Sequence, residues 1–104
     1  MKTIDVRIPH SLPMEELRRR LDHGLSQARS AYGDTVGPIE SRWEDQTLHL
    51  GVSVMGMALQ GHVEMHPTEV VVHLQLPPLA AMFAGRIREG IEERIGGLLT
   101  NGSV

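Results

Sequence analysis

The chain has no cysteine, three aromatic residues among 104, and no apolar run long enough to cross a bilayer as a helix. Each shortage removes a class of explanation. Without cysteine there is no disulfide, no thiolate metal site and no cysteine nucleophile. With only Tyr32, Trp43 and Phe83, the core must be aliphatic and methionine-filled, and few rings are available to stack on bases. Strong basicity is also missing. The net charge is −3, and residues 40–76 carry −4 (Arg42 against Glu40, Glu44, Asp45, Glu64 and Glu69), which repels phosphates. The opening Met-Lys-Thr leads into alternation rather than the apolar stretch of about 7–15 residues that a secretory signal needs, so a cytoplasmic bacterial-type protein is expected.

What is present is ordinary in amount and informative in order. A 40% hydrophobic and 22% charged composition fits one globular domain over residues 1–104. Ile4, Val6 and Ile8 alternate with Asp5 and Arg7, as a strand requires. Pro9 ends that strand, Ser11 is the expected helix N-cap, and Pro13 suits a first turn. Met14, Leu17, Leu21, Leu25, Ala28 and Tyr32 then recur at the spacing of an amphipathic helix. Gly24 weakens it by about 1 kcal/mol relative to Ala. Gly33, Gly37 and Pro38 stop it.

From Ile39 to Leu76 four short strands follow one another. Turns at Asp45-Gln46, Met55-Gly56 and Pro67-Thr68 set their registers. With those turns Ile39, Ser41, Trp43, Leu48, Leu50, Val52, Val54, Leu59, Gly61, Val63, Met65, Val70, Val72, Leu74 and Leu76 share one face. A slip of one residue would turn a strand inside out, so the agreement of three separate turns carries weight. After Pro77-Pro78 one final helix is expected, with Leu79, Phe83, Ile87, Ile91, Ile95 and Leu98 as its buried stripe; Gly96 and Gly97 loosen its end, and Asn101 onward frays. The fold class is α+β, in the order β-α-β-β-β-β-α: a mainly antiparallel five-stranded sheet with two helices packed on one face. The first strand pairs either with the last strand or, through a right-handed crossover, with the second; the antiparallel option is preferred.

The same registers make a sharp statement about the other face. Arg42 falls opposite His49, His49 opposite His62, and His62 opposite His73, one row across the sheet. Directly opposed side chains lie about 4.5–5.5 Å apart at Cβ, near enough for imidazoles to share an ion. A flat row has no walls, Arg42 sits beside it, and no second-shell carboxylate is evident, so a solvated polar face is expected and no metal. His49, His62 and His73 remain the candidate row, and it would charge near pH 6 and weaken an interface there.

Other constellations have simpler explanations. His62 and His66 have a helical metal-pair spacing, but they lie on a strand, where four residues span about 13 Å. His10 and Ser11 belong to a helix start rather than to a triad. No G-x-S-x-G, P-loop or G-x-G-x-x-G pattern occurs. Gly51, Gly56 and Gly61 suit turns and bulges. Arg18, Arg19 and Arg20 splay around a helix that also carries Glu15, Glu16 and Asp22. Met55, Met57, Met82 and Phe83 are apolar residues at a turn and a helix start; Met82 and Phe83, with Arg42 on the polar face, are the candidate partner surfaces.

Taken in order, these residues carry a resemblance. His10-Ser11-Leu12, Tyr32-Gly33, Trp43 two residues before a turn, Leu48-x-Leu50, Gly56, Gly61-x-Val63-x-Met65, Val70-x-Val72, Leu76-Pro77 and the helix with Ile87, Ile91 and Ile95 resemble the polyhydroxyalkanoic acid system family, along nearly the whole chain. Leu50 stands where an aromatic is more typical, and Asp45-Gln46 where Gly-Asp is. The resemblance implies a non-enzymatic accessory or binding protein associated with polyhydroxyalkanoate granules or storage metabolism, with no cofactor. A granule surface or another protein is the implied partner. Two alternatives stand beside it: a small helix-grip-like domain for a hydrophobic ligand, and a ribosome- or RNA-associated factor, whose strand-helix-strands-helix order is similar but whose basic helix surfaces are lacking here. Nucleic acid is therefore not the expected partner.

Overall fold

Alternating apolar residues make one wet and one dry side on every strand, and the computed structural model assembles those sides into a single sheet. It describes residues 2–32, 39–54 and 56–99. The elements are β1 (Lys2–Pro9), α1 (Met14–Tyr32), β2 (Glu40–Glu44), β3 (Thr47–Val54), β4 (Met57–Met65), β5 (Glu69–Leu76), α2 (Pro78–Ala81) and α3 (Ala84–Leu99). The strand order is β1-β5-β4-β3-β2, and every pairing is antiparallel. β1 thus pairs with β5, the preferred option. Trp43 faces Leu48, Leu48 faces Val63, Val63 faces Val72 and Val72 faces Val6, as the turn positions require.

That row is the centre of the core. Val6, Leu48, Val63 and Val72 are buried, as are Ile8, Met65 and Val70 in the adjoining row. Leu17 and Leu21 of α1 and Leu99 of α3 close over them. Leu17, Leu76, Val6 and Val70 are the largest fully buried side chains. Toward the β3–β4 turn the cover thins: Val52, Leu59 and Leu74 face the helices but are only half-buried. Among the described residues no helix is long and apolar enough to cross a membrane.

Several expectations needed correction. The final helix is two helices. Phe83 N donates to the Ala80 carbonyl three residues back, which tightens the turn between α2 and α3. The tightening rotates Leu79 and Phe83 out of the predicted stripe: they are 66% and 55% exposed, and Met82 is 76% exposed. Ile87, Ile91, Ile95 and Leu98 are half-buried, and Leu99, absent from the predicted stripe, is the buried one. Ser11 is not the cap of α1. The helix starts at Met14, and Leu17 N donates to the Pro13 carbonyl.

His10 organises that entry instead. Its Nδ1 accepts from Leu12 N at 3.0 Å, so its Nε2 donates to the His66 carbonyl at 2.7 Å. His10 N also donates to the Thr68 carbonyl, so the β1–α1 and β4–β5 loops are stitched together. Gly24 also has a packing reason: a Cβ there would meet the tip of Leu98, so α1 and α3 approach closely. The helix stop at Gly33, Gly37 and Pro38, Met55 of the second turn, and the chain from Asn101 lie outside the described residues. Asp45 of the first turn has φ 56, the left-handed conformation a two-residue hairpin turn demands.

Candidate functional site

Two surfaces stand out once the helices have covered one side of the sheet. The first is the opposite, polar face. Antiparallel pairing sets Arg42, His49, His62, His73 and Asp5 opposite one another in sequence across all five strands. The predicted row is therefore present, with Asp5 added at its β1 end. The His49 and His62 rings are 5.8 Å apart between centroids, and those of His62 and His73 are 4.5 Å apart.

The row is richer in carboxylates than its sequence suggested. Glu64 lies two residues after His62, on the same face of β4. Its Oε2 is 3.3 Å from His62 Nε2 and 3.3 Å from His73 Nε2, and its Oε1 is 3.2 Å from His66 Nε2. His73 Nδ1 meets Asp5 Oδ1 at 2.5 Å, and His49 Nε2 meets Glu44 Oε1 at 3.0 Å. Carboxylates that were not evident from residue order therefore stand beside the row. Glu64 and Asp5 are the residues that reasoning along single strands overlooked. The signal was available: side chains two apart share a face, and the β1–β5 register puts Asp5 opposite His73.

Electrostatics follow from these contacts. The hydrogen bond from His66 holds the Glu64 carboxyl below its ordinary value; partial desolvation opposes it, and the charges of His73 and His62 with a His62 hydrogen bond add to it. The row forms part of the floor of an open trough of about 540 Å³, lined by His49, His62 and His73 together with Thr3, Gln60 and Gln75. Arg42 stands at the β2 end with its guanidinium mostly in solvent, 4.0 Å from Glu44.

The second surface is the apolar corner at the α2–α3 junction, where Leu79, Met82 and Phe83 project. It lies apart from Arg42, so the candidate partner residues belong to two surfaces rather than one. The basic run on α1 forms no patch. Arg18 stacks on Trp43, 4.3 Å from the ring centroid. Arg19 and Arg20 both donate to Glu16, and Arg20 reaches the Leu98 carbonyl as well. Their hydrogen bonds hold the Glu16 carboxyl down to about 2.

A five-stranded antiparallel sheet backed by helices, with one polar and one apolar exposed surface, defines an α+β domain. The chain belongs to the family described as "Putative polyhydroxyalkanoic acid system protein", whose model matches residues 4–99. No curated protein matches it. Among solved structures it is similar to that of Ara h 8.0201, with a TM-score of 0.46 and 12% sequence identity, covering 94% of this chain and 97% of that chain. At that level the likeness carries no functional argument.

Proposed function

We propose that this protein is a non-enzymatic accessory protein of cytoplasmic polyester storage granules, which it binds through the corner made by Leu79, Met82 and Phe83. The observation that carries the reading is the exposure of those three large side chains, 66%, 76% and 55%, within five residues of one another. Large apolar side chains clustered on a surface mark a place where another apolar surface is covered. Family membership supplies the context, since its description names the polyhydroxyalkanoic acid system. A storage polyester offers an extended apolar surface without pockets, which suits a projecting corner better than a cavity. The 540 Å³ trough is open and lined by polar and apolar surface alike, so it does not enclose an apolar ligand, and the acidic strands do not favour a nucleic acid.

The test is co-sedimentation with purified polyester granules. Fully covering one such side chain is worth about 1.5–3 kcal/mol. Met82→Ser/Phe83→Ser should therefore weaken retention at least about tenfold. Exposed positions of this kind change stability by only about 0.5 kcal/mol, so the folded fraction should hold. Wild-type protein that stays in the supernatant, or a double variant retained as well as wild type, would overturn the reading.

A further inference from the structure

We propose that His62, Glu64 and His73 form a binding site for a divalent transition metal of the zinc type, oriented by Asp5. The three side chains each offer one ligand atom, and those atoms all lie within 4.8 Å of one another. Two of the separations already have the required size. A tetrahedral zinc with ligands at about 2.0–2.1 Å separates neighbouring ligand atoms by about 3.3–3.4 Å. Glu64 Oε2 stands 3.3 Å from His62 Nε2 and 3.3 Å from His73 Nε2. The His62–His73 edge also lies within 4.8 Å, and both rings end in partly exposed space.

The hydrogen-bond logic points the same way. An ionised carboxylate only accepts, so the short contact with Asp5 Oδ1 places a proton on His73 Nδ1. A neutral His73 then turns the Nε2 lone pair toward Glu64 Oε2, another acceptor, at 3.3 Å. Two acceptors facing each other want a cation between them, either a proton or a metal ion. The Asp5–His73 pair is the carboxylate–histidine arrangement that fixes the tautomer and raises the basicity of a metal-bound imidazole. Two imidazoles and one carboxylate leave a fourth tetrahedral position open to water. The donor set suits zinc and its neighbours in the transition series better than calcium or magnesium, which prefer all-oxygen sites.

The sheet itself supplies the rigidity. His62 and His73 are a directly opposed pair on the adjacent central strands β4 and β5, and Glu64 follows on β4. The inference does not rest on granule binding, because the site lies on the polar face of β4 and β5, whereas the apolar corner lies at the α2–α3 junction.

Titration calorimetry of the full, tag-free chain with zinc chloride tests it, with imidazole resonances followed by NMR. One zinc per chain is expected, with the His62 and His73 signals shifting and that of His23, exposed on α1, unmoved. His62→Ala and His73→Ala should each weaken binding more than about 100-fold, and Asp5→Asn by about 10–100-fold. His23→Ala should bind as wild type does, and circular dichroism of each variant confirms folding. Folded wild type that takes up no zinc would leave the contacts as a proton-bridged row and overturn the proposal. Binding unchanged in both His62→Ala and His73→Ala would overturn it equally.

Discussion

Trp43, the only tryptophan, fastens the edge strand β2 to α1, and its removal should cost far more than its partial exposure suggests. Of the five residues of β2 it alone is half-buried; Glu40, Ser41, Arg42 and Glu44 are exposed. Its ring packs against the core cluster, its Nε1 donates to Asp22 Oδ1 at 2.9 Å, and the Arg18 guanidinium lies over its face at 4.3 Å. A second tie nearby is Arg29, which donates to the Ile39 carbonyl and to Ser41 Oγ. Truncating a fully buried Trp costs about 3–5 kcal/mol, so a half-buried one should lose about 2 from packing. The cation–π contact adds about 0.5–1 kcal/mol at an exposed site. The indole hydrogen bond, discounted for solvent, adds about 0.5–1. Trp43→Ala should therefore cost about 3–4 kcal/mol, a large part of a small domain's stability of about 5–15. Trp43→Phe keeps most of the packing and should cost only about 0.5–1.5 kcal/mol. Arg18→Ala should destabilise the wild type yet do almost nothing in the Trp43→Ala background. Urea denaturation followed by far-UV circular dichroism reads the wild type and all four variants. A cost for Trp43→Ala below about 1 kcal/mol would refute the argument, because β2 would then be held by the ladder alone.

Two further predictions concern close packing and acid. A Cβ at Gly61 would lie 2.5 Å from the His73 carbonyl oxygen and 3.1 Å from Leu74 Cδ1. The carbonyl is backbone in a central strand and cannot step aside, so Gly61→Ala should destabilise by about 1–3 kcal/mol in urea denaturation; a neutral variant would show that β4 and β5 can part locally. Glu16 is depressed from 4.5 to about 2 by Arg19 and Arg20, so its contribution is complete above 4.5 and is lost as the pH falls through about 2. The thermal-midpoint advantage of wild type over Glu16→Gln should accordingly shrink across that window, and an advantage that stays constant down to pH 2 would contradict the pairing. Glu64, also depressed, should lose its contribution in the same direction below 4.5.

The registers of β2 through β5 were legible from residue order because a strand repeats every two residues and the connecting turns are short. Once Asp45-Gln46 is a two-residue turn, Trp43 has to face Leu48, and the choice of core side follows for the whole strand. The imidazole row was legible for the same reason. Its carboxylates were less so. Glu64 required treating a strand as a face rather than a line, and Asp5 required knowing the neighbour of β1. That neighbour depends on how the chain closes over tens of residues, and both a β5 partner and a β2 partner satisfied the local pattern.

The helix ends were legible least. Ser11 looked like a cap because its residue type is right, but His10, held by Leu12 N and the His66 carbonyl, sets where α1 begins. Apolar spacing carried Leu79 and Phe83 into the stripe of the last helix, and one backbone bond from Phe83 N to Ala80 turned them out to solvent. Residue order by itself thus determined the strands, their registers and which side of the sheet is dry, because those follow from a two-residue period and from turns a few residues long. Only the tertiary structure decided the partner of β1, the convergence of His62, Glu64 and His73, and the exposure of Met82 and Phe83, because each depends on contacts between segments whose separation along the chain leaves no periodic trace.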